Sequence, residues 1–126
     1  MDYTQITATV DGPVAVITLD RPEKLNAWTP RMAEEQVHAI QMANDDPHIG
    51  AIVMTGAGRG FCAGADMEVT FRTRIGGTDP GNDTAGGVGG MPAGIDWVAL
   101  LRESKPIVCA VNGPVSYTHL TLPTKA

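Results

Sequence analysis

The chain has 126 residues, of which 43% are hydrophobic and 18% charged, and its formal net charge is −5. This composition favours one globular domain or part of a larger one, and it excludes a disordered chain. The sequence has no cluster of basic residues, so nucleic acid is not an expected partner. It shows neither a signal-peptide pattern nor an apolar run of about 18 residues, and its two cysteines lack metal-ligand spacing. We therefore expect a cytoplasmic protein without a metal or a membrane partner.

The first two predicted elements are strands. Residues 6–10 alternate apolar and polar side chains, and residues 14–19 form a second run that is apolar on both faces. The turn Asp11-Gly12-Pro13 separates them, which predicts a β-hairpin. The second strand should lie deeper than the first because both of its faces are apolar.

A helix and a third strand follow. Thr29 before Pro30 predicts a helix start, and residues 30–43 carry an apolar stripe that indicates core packing. The helix is expected to direct three polar side chains away from that stripe, namely Glu34, Glu35 and His38. Residues 44–47 break the helix, and residues 49–54 predict a strand. Strand, helix and strand together imply a βαβ crossover.

The loop after the third strand contains the residues that indicate chemistry. Residues 59–67 read Arg-Gly-Phe-Cys-Ala-Gly-Ala-Asp-Met. Asp66 is predicted to cap a helix, so backbone N–H groups near Ala65 and Met67 should remain unpaired. The small residues before Asp66 would let a ligand approach the main chain. These features predict half of an oxyanion hole.

A second loop is expected beside this one. Residues 25–27 also follow the end of a strand, and open α/β sheets bind ligands beyond the carboxyl ends of their strands. The two loops should therefore face one ligand.

Farther along the chain, the glycine-rich residues 75–94 favour a flexible surface loop, with a lid over an acyl pocket as the alternative. Residues 95–103 predict a helix, and residues 106–111 predict a fourth, buried strand.

Three motifs in this order resemble those of the crotonase family, also called the enoyl-CoA hydratase/isomerase superfamily. Residues 61–67 resemble its F-x-A-G-A-D-[LIM] segment, residues 19–27 its L-x-R-P-x-x-x-N-A segment, and residues 105–113 its K-P-[IV]-x-A-x-x-N-G strand. The resemblance covers roughly residues 5–114. It implies an α/β, crotonase-like (ClpP/crotonase) ββα spiral fold, of which this chain would be the incomplete N-terminal part.

The resemblance also implies a site. The family residue that matches Ala65 supplies one of two backbone donors to the thioester oxygen, and the loops that match residues 24–27 and 63–67 hold coenzyme A. The implied positions for coenzyme A are Lys24, Leu25, Ala27, Ala63, Gly64, Ala65, Asp66 and Met67. Coenzyme A would enter as part of the acyl-CoA substrate, with no permanently bound cofactor. The parent protein is expected to form a homotrimer or homohexamer.

The implied activity is hydration of a 2-enoyl-CoA through a stabilised enolate. The alternatives are isomerisation, thioester hydrolysis, dehalogenation, or a noncatalytic incomplete domain. The family's second donor and its acid/base carboxylates have no match in residues 115–126. A nucleotide-binding interpretation of Gly56, Gly58 and Gly60 is weaker, because the dinucleotide fingerprint requires glycine where Phe61 stands and a Walker lysine is missing from the sequence.

Residues 115–126 depart from the family pattern and resemble translated sequencing-adapter sequence. We therefore expect residues 1–114 to be the N-terminal part of an acyl-CoA-binding domain and residues 115–126 to be a non-native tail.

If this expectation is right, residues 1–126 expressed alone should be neither a stable domain nor a working enzyme. Strands that are apolar on both faces need helices on each side, and the sequence predicts only about two substantial helices. Exposed strand edges should then cause aggregation. The measurements are thermal unfolding, sedimentation and crotonyl-CoA hydration. A soluble monomer with a sharp transition and measurable turnover would contradict the expectation.

Overall fold

The computed structural model describes residues 1–66, 68–69 and 95–115. In these ranges the strands form one sheet in the order β1-β2-β3-β4. The strands are β1 (Ile6–Asp11), β2 (Val14–Leu19), β3 (Ala51–Gly56) and β4 (Ile107–Cys109). The helices are a short 3-10 helix (Pro22–Lys24), α1 (Pro30–Asp45) and α2 (Trp97–Glu103). The glycine-rich segment at 75–94, Met67 and residues 116–126 of the expected tail at 115–126 lie outside the described residues.

The predicted β-hairpin is confirmed. Strand β1 pairs antiparallel with β2, from Ile6 opposite Leu19 to Asp11 opposite Val14. Gly12 has a φ of 58° in the turn, which glycine adopts without a steric penalty. Side chains of β2 alternate between buried and half-buried, whereas in β1 only Ile6 is buried. The deeper position predicted for the second strand is therefore also confirmed.

Helix α1 connects β2 to β3, which run parallel to each other. Thr29 caps the helix, because its hydroxyl accepts a hydrogen bond from the Met32 N–H at 3.0 Å. The apolar stripe of α1 packs on the sheet, as its spacing predicts. The largest fully buried apolar side chains are Ile17, Leu19, Met32, Ile40 and Ile52. The crossover brings the carboxyl ends of β2 and β3 side by side.

Strand β4 differs from its prediction. The apolar run at 106–111 indicates a buried strand, but β4 is shorter, and Val108 and Val111 are 58% and 54% exposed. Within the described part of the chain, β4 is the edge of the sheet and has only β3 as a neighbour. An apolar sequence indicates that a strand tends to be covered, but it does not supply the element that covers it.

Glu35 also differs from its prediction, because it is fully buried rather than directed away from the core. Its carboxylate accepts hydrogen bonds from the backbone N–H groups of Thr4, Gln5 and Ile6 and is paired with Arg31. Burial opposes ionisation, but the hydrogen bonds from Gln5, Arg31 and Thr4 outweigh it and hold the pKa of Glu35 below its ordinary value. The carboxylate therefore fastens the start of β1 to α1.

We predict that Glu35→Gln lowers the free energy of unfolding by about 2 kcal/mol, because an amide leaves some of these buried donors without an acceptor. The depressed pKa makes the wild-type stabilisation complete above the ordinary carboxyl pKa of about 4.3 and removes it as the pH falls through the folded-state value. Urea denaturation of the complete gene product at pH 7 and at several lower pH values measures both effects.

The matched control is Glu34→Gln, since Glu34 is the exposed neighbour on the same helix. It should change the free energy of unfolding by less than about 0.5 kcal/mol. Equal losses in the two variants would contradict the fastening role of Glu35.

Candidate active site

Two loops lie side by side beyond the carboxyl ends of β2 and β3. The Ala63 N–H donates to the Leu25 carbonyl at 3.0 Å, and the Trp28 N–H donates to the Gly64 carbonyl at 2.6 Å. The Asp66 N–H returns a bond to the Trp28 carbonyl at 2.7 Å. The structure thus brings together the two loops that sequence analysis expects to share a ligand.

The Ala65 N–H points out of this pairing. Trp28 and Ala65 form a parallel β-bridge in which the bonds to Trp28 come from the neighbours of Ala65, namely Gly64 and Asp66. Backbone groups of successive extended residues point in opposite directions, so the Ala65 N–H is directed away from Trp28. Ala65 is exposed, and no acceptor within the described residues bonds to its N–H. The result is an oriented main-chain donor with an open approach.

Asp66 is a helix cap and also half of an ion pair. One carboxylate oxygen accepts from the Val69 N–H at 3.2 Å, which confirms the predicted cap, and the other lies 3.0 Å from Arg21 Nη2. Burial opposes ionisation of the carboxyl, but the hydrogen bonds from Val69 and Arg21 hold the pKa of Asp66 below its ordinary value. Both oxygens are engaged, so Asp66 supports the loop and is not positioned as a general acid or base.

Asn26 braces the second loop from inside the protein. Its side chain is fully buried, and its amide nitrogen donates to the carbonyls of Ala57 at 3.0 Å and Gly60 at 2.9 Å. Its amide oxygen accepts from the Arg21 N–H at 2.7 Å. Asn26 therefore fixes the loop after β3 to the loop after β2. The sequence alone marks Asn26 as a motif position and predicts no role for it.

Asn112 braces the same loop from the other side. Its amide nitrogen donates to the carbonyls of Gly58 at 3.0 Å and Gly60 at 3.2 Å, and its amide oxygen accepts from the Gly56 N–H at 3.1 Å. The Gly60 carbonyl thus receives both asparagine side chains. A paired asparagine signal exists in the sequence, since asparagine is the next-to-last residue of each flanking motif, but only the fold shows what the two asparagines share.

Gly113 lies where the third motif crosses the loop. A Cβ atom on this glycine would stand 1.9 Å from the Arg59 carbonyl oxygen, so no larger residue fits without movement of the backbone. The next residue, Pro114, accepts bonds at its carbonyl from the N–H groups of Phe61 at 3.1 Å and Cys62 at 3.3 Å. All three sequence motifs therefore meet around residues 56–66.

The candidate coenzyme A positions in these loops differ in their exposure. Lys24, Ala63 and Ala65 are exposed, whereas Leu25, Ala27 and Gly64 are half-buried and Asp66 is buried.

Leu25 and Asn26 both adopt left-handed backbone conformations, with φ of 50° and 56°. Each such residue costs on the order of 1 kcal/mol or more, so the bracing bonds maintain a loop that is strained locally.

Several N–H groups around the glycine-rich loop are not available to a nucleotide-phosphate cradle, which requires free N–H groups. Here the Gly56 N–H is bonded to Asn112 and the Ala57 N–H to the Leu19 carbonyl at 2.8 Å. The N–H groups at positions 61 and 62 are also occupied.

Two further findings concern the described ranges alone. They contain no group of three or more His, Cys, Asp or Glu side chains that is placed to hold a metal ion. None of the helices that can be described is long and apolar enough to cross a membrane.

The sheet, the crossover helix and the paired loops define a partial crotonase-like α/β fold. A crystal structure of an enoyl-CoA hydratase from Mycobacterium marinum superimposes with a TM-score of 0.66 and 32% identity, covering 87% of this chain and 49% of that one. An enoyl-CoA hydratase/isomerase from Mycobacterium paratuberculosis gives 0.62 and 35%, covering 88% and 38%. A family model described as enoyl-CoA hydratase/isomerase matches residues 9–117. The chain belongs to this family, the crotonase superfamily.

Relatives of known sequence agree. The 1,2-epoxyphenylacetyl-CoA isomerase of Escherichia coli is 33% identical over 93% of this chain and 43% of its own length. A probable enoyl-CoA hydratase of Mycobacterium tuberculosis is 46% identical over 52% of this chain and 26% of its own length. The chain thus spans less than half of the length of these relatives.

The hydrogen bonds of Asn26 and Asn112 predict how much each residue contributes to the free energy of unfolding. Asn26→Asp replaces two buried N–H donors with an oxygen that faces the carbonyls of Ala57 and Gly60, and it should lower the free energy of unfolding by about 3 kcal/mol. Asn112→Asp should cost about 1 kcal/mol, because Asn112 is exposed and water can solvate the new carboxylate. Urea denaturation of the complete gene product compares them. A larger loss for Asn112→Asp would show that Asn26 is not the principal brace.

Proposed function

We propose that this protein binds an acyl-CoA thioester and stabilises the enolate oxygen with the Ala65 N–H, as an enzyme of the enoyl-CoA hydratase/isomerase family. The observation that supports this most directly is the direction of that N–H. It points away from the Trp28 backbone, beyond the carboxyl ends of two parallel strands, with no acceptor among the described residues. This is the location at which α/β sheets bind ligands.

The chemistry requires a donor of this kind. Loss of an α-proton from a thioester, or addition of water to a conjugated one, moves negative charge onto the carbonyl oxygen. A donor whose orientation is already fixed stabilises that charge without reorganising, and removing one such donor typically costs 100- to 1,000-fold in rate. Bonds at Gly64 and Asp66 fix the peptide groups on both sides of Ala65.

We propose that coenzyme A lies along the rim formed by the two loops. Lys24 is exposed and would place an ammonium group near the phosphates. The Ala63 N–H donates a hydrogen bond to the Leu25 carbonyl, so the rim is continuous between the loops. Gly64 and Ala27 add small contact residues. Asp66 would contribute by holding the loop, while the role of Met67 stays a prediction.

Hydration of a 2-enoyl-CoA is the reaction we propose. Isomerisation is the second candidate, and the isomerase relative that matches 93% of this chain favours it. A hydroxycinnamoyl-CoA hydratase-lyase of Pseudomonas fluorescens, 29% identical over 88% of this chain, shows that similar sequences are named for a further reaction. The expected trimer or hexamer and the cytoplasmic location stay predictions.

The test is Ala65→Pro in the complete gene product, because proline removes the N–H and no described backbone bond is lost with it. Crotonyl-CoA hydration should fall by roughly 100-fold or more. The matched control is Ala65→Ser, which changes the side chain but keeps the N–H, and it should retain most of the rate.

Circular dichroism and thermal unfolding show whether both variants fold. A folded Ala65→Pro variant with the wild-type rate would show that Ala65 is not an oxyanion donor. If the wild type hydrates no enoyl-CoA but isomerises one, the second candidate replaces the first.

A further inference from the structure

Two peptide groups, linked by hydrogen bonds, connect the Arg21 side chain to the Ala65 N–H. Arg21 Nη1 donates to the Ala27 carbonyl at 2.7 Å. That carbonyl shares a peptide group with the Trp28 N–H, which donates to the Gly64 carbonyl at 2.6 Å. The Gly64 carbonyl in turn shares a peptide group with the Ala65 N–H. The described chain contains no cis peptide bond, so in each group the carbonyl and the N–H point in opposite directions.

We propose that Arg21 is a positioning residue that orients and polarises the Ala65 N–H through these two peptide groups, an inference that rests on the proposed function. Every dipole in the series has its negative end toward the guanidinium and its positive end toward the ligand. We call this series the peptide relay, consisting of Arg21, the 27–28 peptide and the 64–65 peptide.

The relay has a physical basis in peptide resonance. A hydrogen bond accepted by a carbonyl draws electron density from the nitrogen of the same group and makes its N–H a better donor. Each bond strengthens the next by about 10–30%, and a charged donor at the start is roughly twice as strong as a neutral one. The Ala65 N–H is therefore a stronger donor than that of an isolated peptide.

Burial protects the relay from water. The Arg21 and Asp66 side chains are 14% and 10% exposed, so water has little access to their bonds. The Asp66 carboxylate compensates the guanidinium charge, which limits direct attraction between Arg21 and an oxyanion. The Asp66 N–H also bonds the Trp28 carbonyl, so Trp28 is bonded to both neighbours of Ala65. The influence of Arg21 thus passes through oriented bonds rather than through its net charge.

A purely structural ion pair would give the same contacts, so stability alone cannot test the relay. The carbonyl stretch of a bound thioester reports polarisation directly, because a stronger donor lowers the frequency. The probe is cinnamoyl-CoA labelled with carbon-13 at the thioester carbonyl, bound to the complete gene product and measured by infrared difference spectroscopy.

The test variants are Arg21→Gln and Arg21→Lys. Arg21→Gln removes the charged donor, so the frequency shift should shrink and kcat for crotonyl-CoA should fall about tenfold, less than the loss of a direct donor. KM should change by less than about twofold, since the coenzyme A contacts remain. Arg21→Lys keeps the charge but lacks the two-armed donor that reaches Ala27 and Asp66 together, so it should give an intermediate shift.

The matched control is Arg31→Gln, which removes a second arginine–carboxylate pair among the described residues, the one with Glu35. It should lower stability without altering the carbonyl frequency. If wild-type protein binds the probe with no frequency shift, the proposed oxyanion function fails. If the wild type shows the shift and a folded Arg21→Gln variant keeps it in full, the relay is overturned and the function stands. Should Arg21→Gln not fold, an Arg21→Lys variant with the full wild-type shift overturns the relay equally.

Discussion

The Gly60 carbonyl oxygen holds the candidate site together. It accepts hydrogen bonds from Asn26, in the loop after β2, and from Asn112, in the segment after β4. Because both donors converge on one backbone atom, the loop after β3 is fixed relative to its two neighbours. The positions of Ala63, Gly64 and Ala65 follow from this bracing, since the chain between residues 60 and 66 is short and is bonded on both sides.

A site built from main chain has different chemical properties from one built from titrating side chains. The Ala65 N–H donates a hydrogen bond and keeps its proton throughout the reaction. Its capacity to donate therefore does not vary over the ordinary pH range. The nearby carboxylate of Asp66 is committed to Val69 and Arg21. In this half of the site, geometry supplies electrostatic stabilisation, and the acid/base steps of the proposed reactions require other groups.

The sequence predicts the elements well where one local rule decides them. The hairpin, the Thr29 cap and the buried stripe of α1 follow from turn chemistry, capping and periodicity, and the structure confirms all three. The three motifs also predict the family correctly. The errors have a different origin. Periodicity places Glu35 off the apolar stripe and therefore outside, yet it is buried against backbone N–H groups that only the tertiary fold brings near.

The roles of Asn26, Asn112 and Arg21 could not be derived for the same reason. Asn26 and Asn112 bond backbone groups of the loop after β3, and Arg21 bonds the Ala27 carbonyl and the Asp66 carboxylate. No local pattern specifies which of these groups a side chain will meet. The exposure of β4 is a similar case, because an apolar run does not show whether a neighbouring element covers it. The sequence therefore predicts the donor loop but not the side chains that hold it.

The contact at Gly113 has a consequence for the order of assembly on the ribosome. Its backbone passes so close to Arg59 that the loop and the third motif must be fitted together, not merely brought near. The pairing of β1, β2 and β3 and the packing of α1 on β1 and β2 need no residue beyond 56. The donor loop obtains its second brace only after residue 112 has emerged. The local structure can therefore form before the binding site during synthesis. The donor loop has only the Asn26 brace until the third motif has been synthesised.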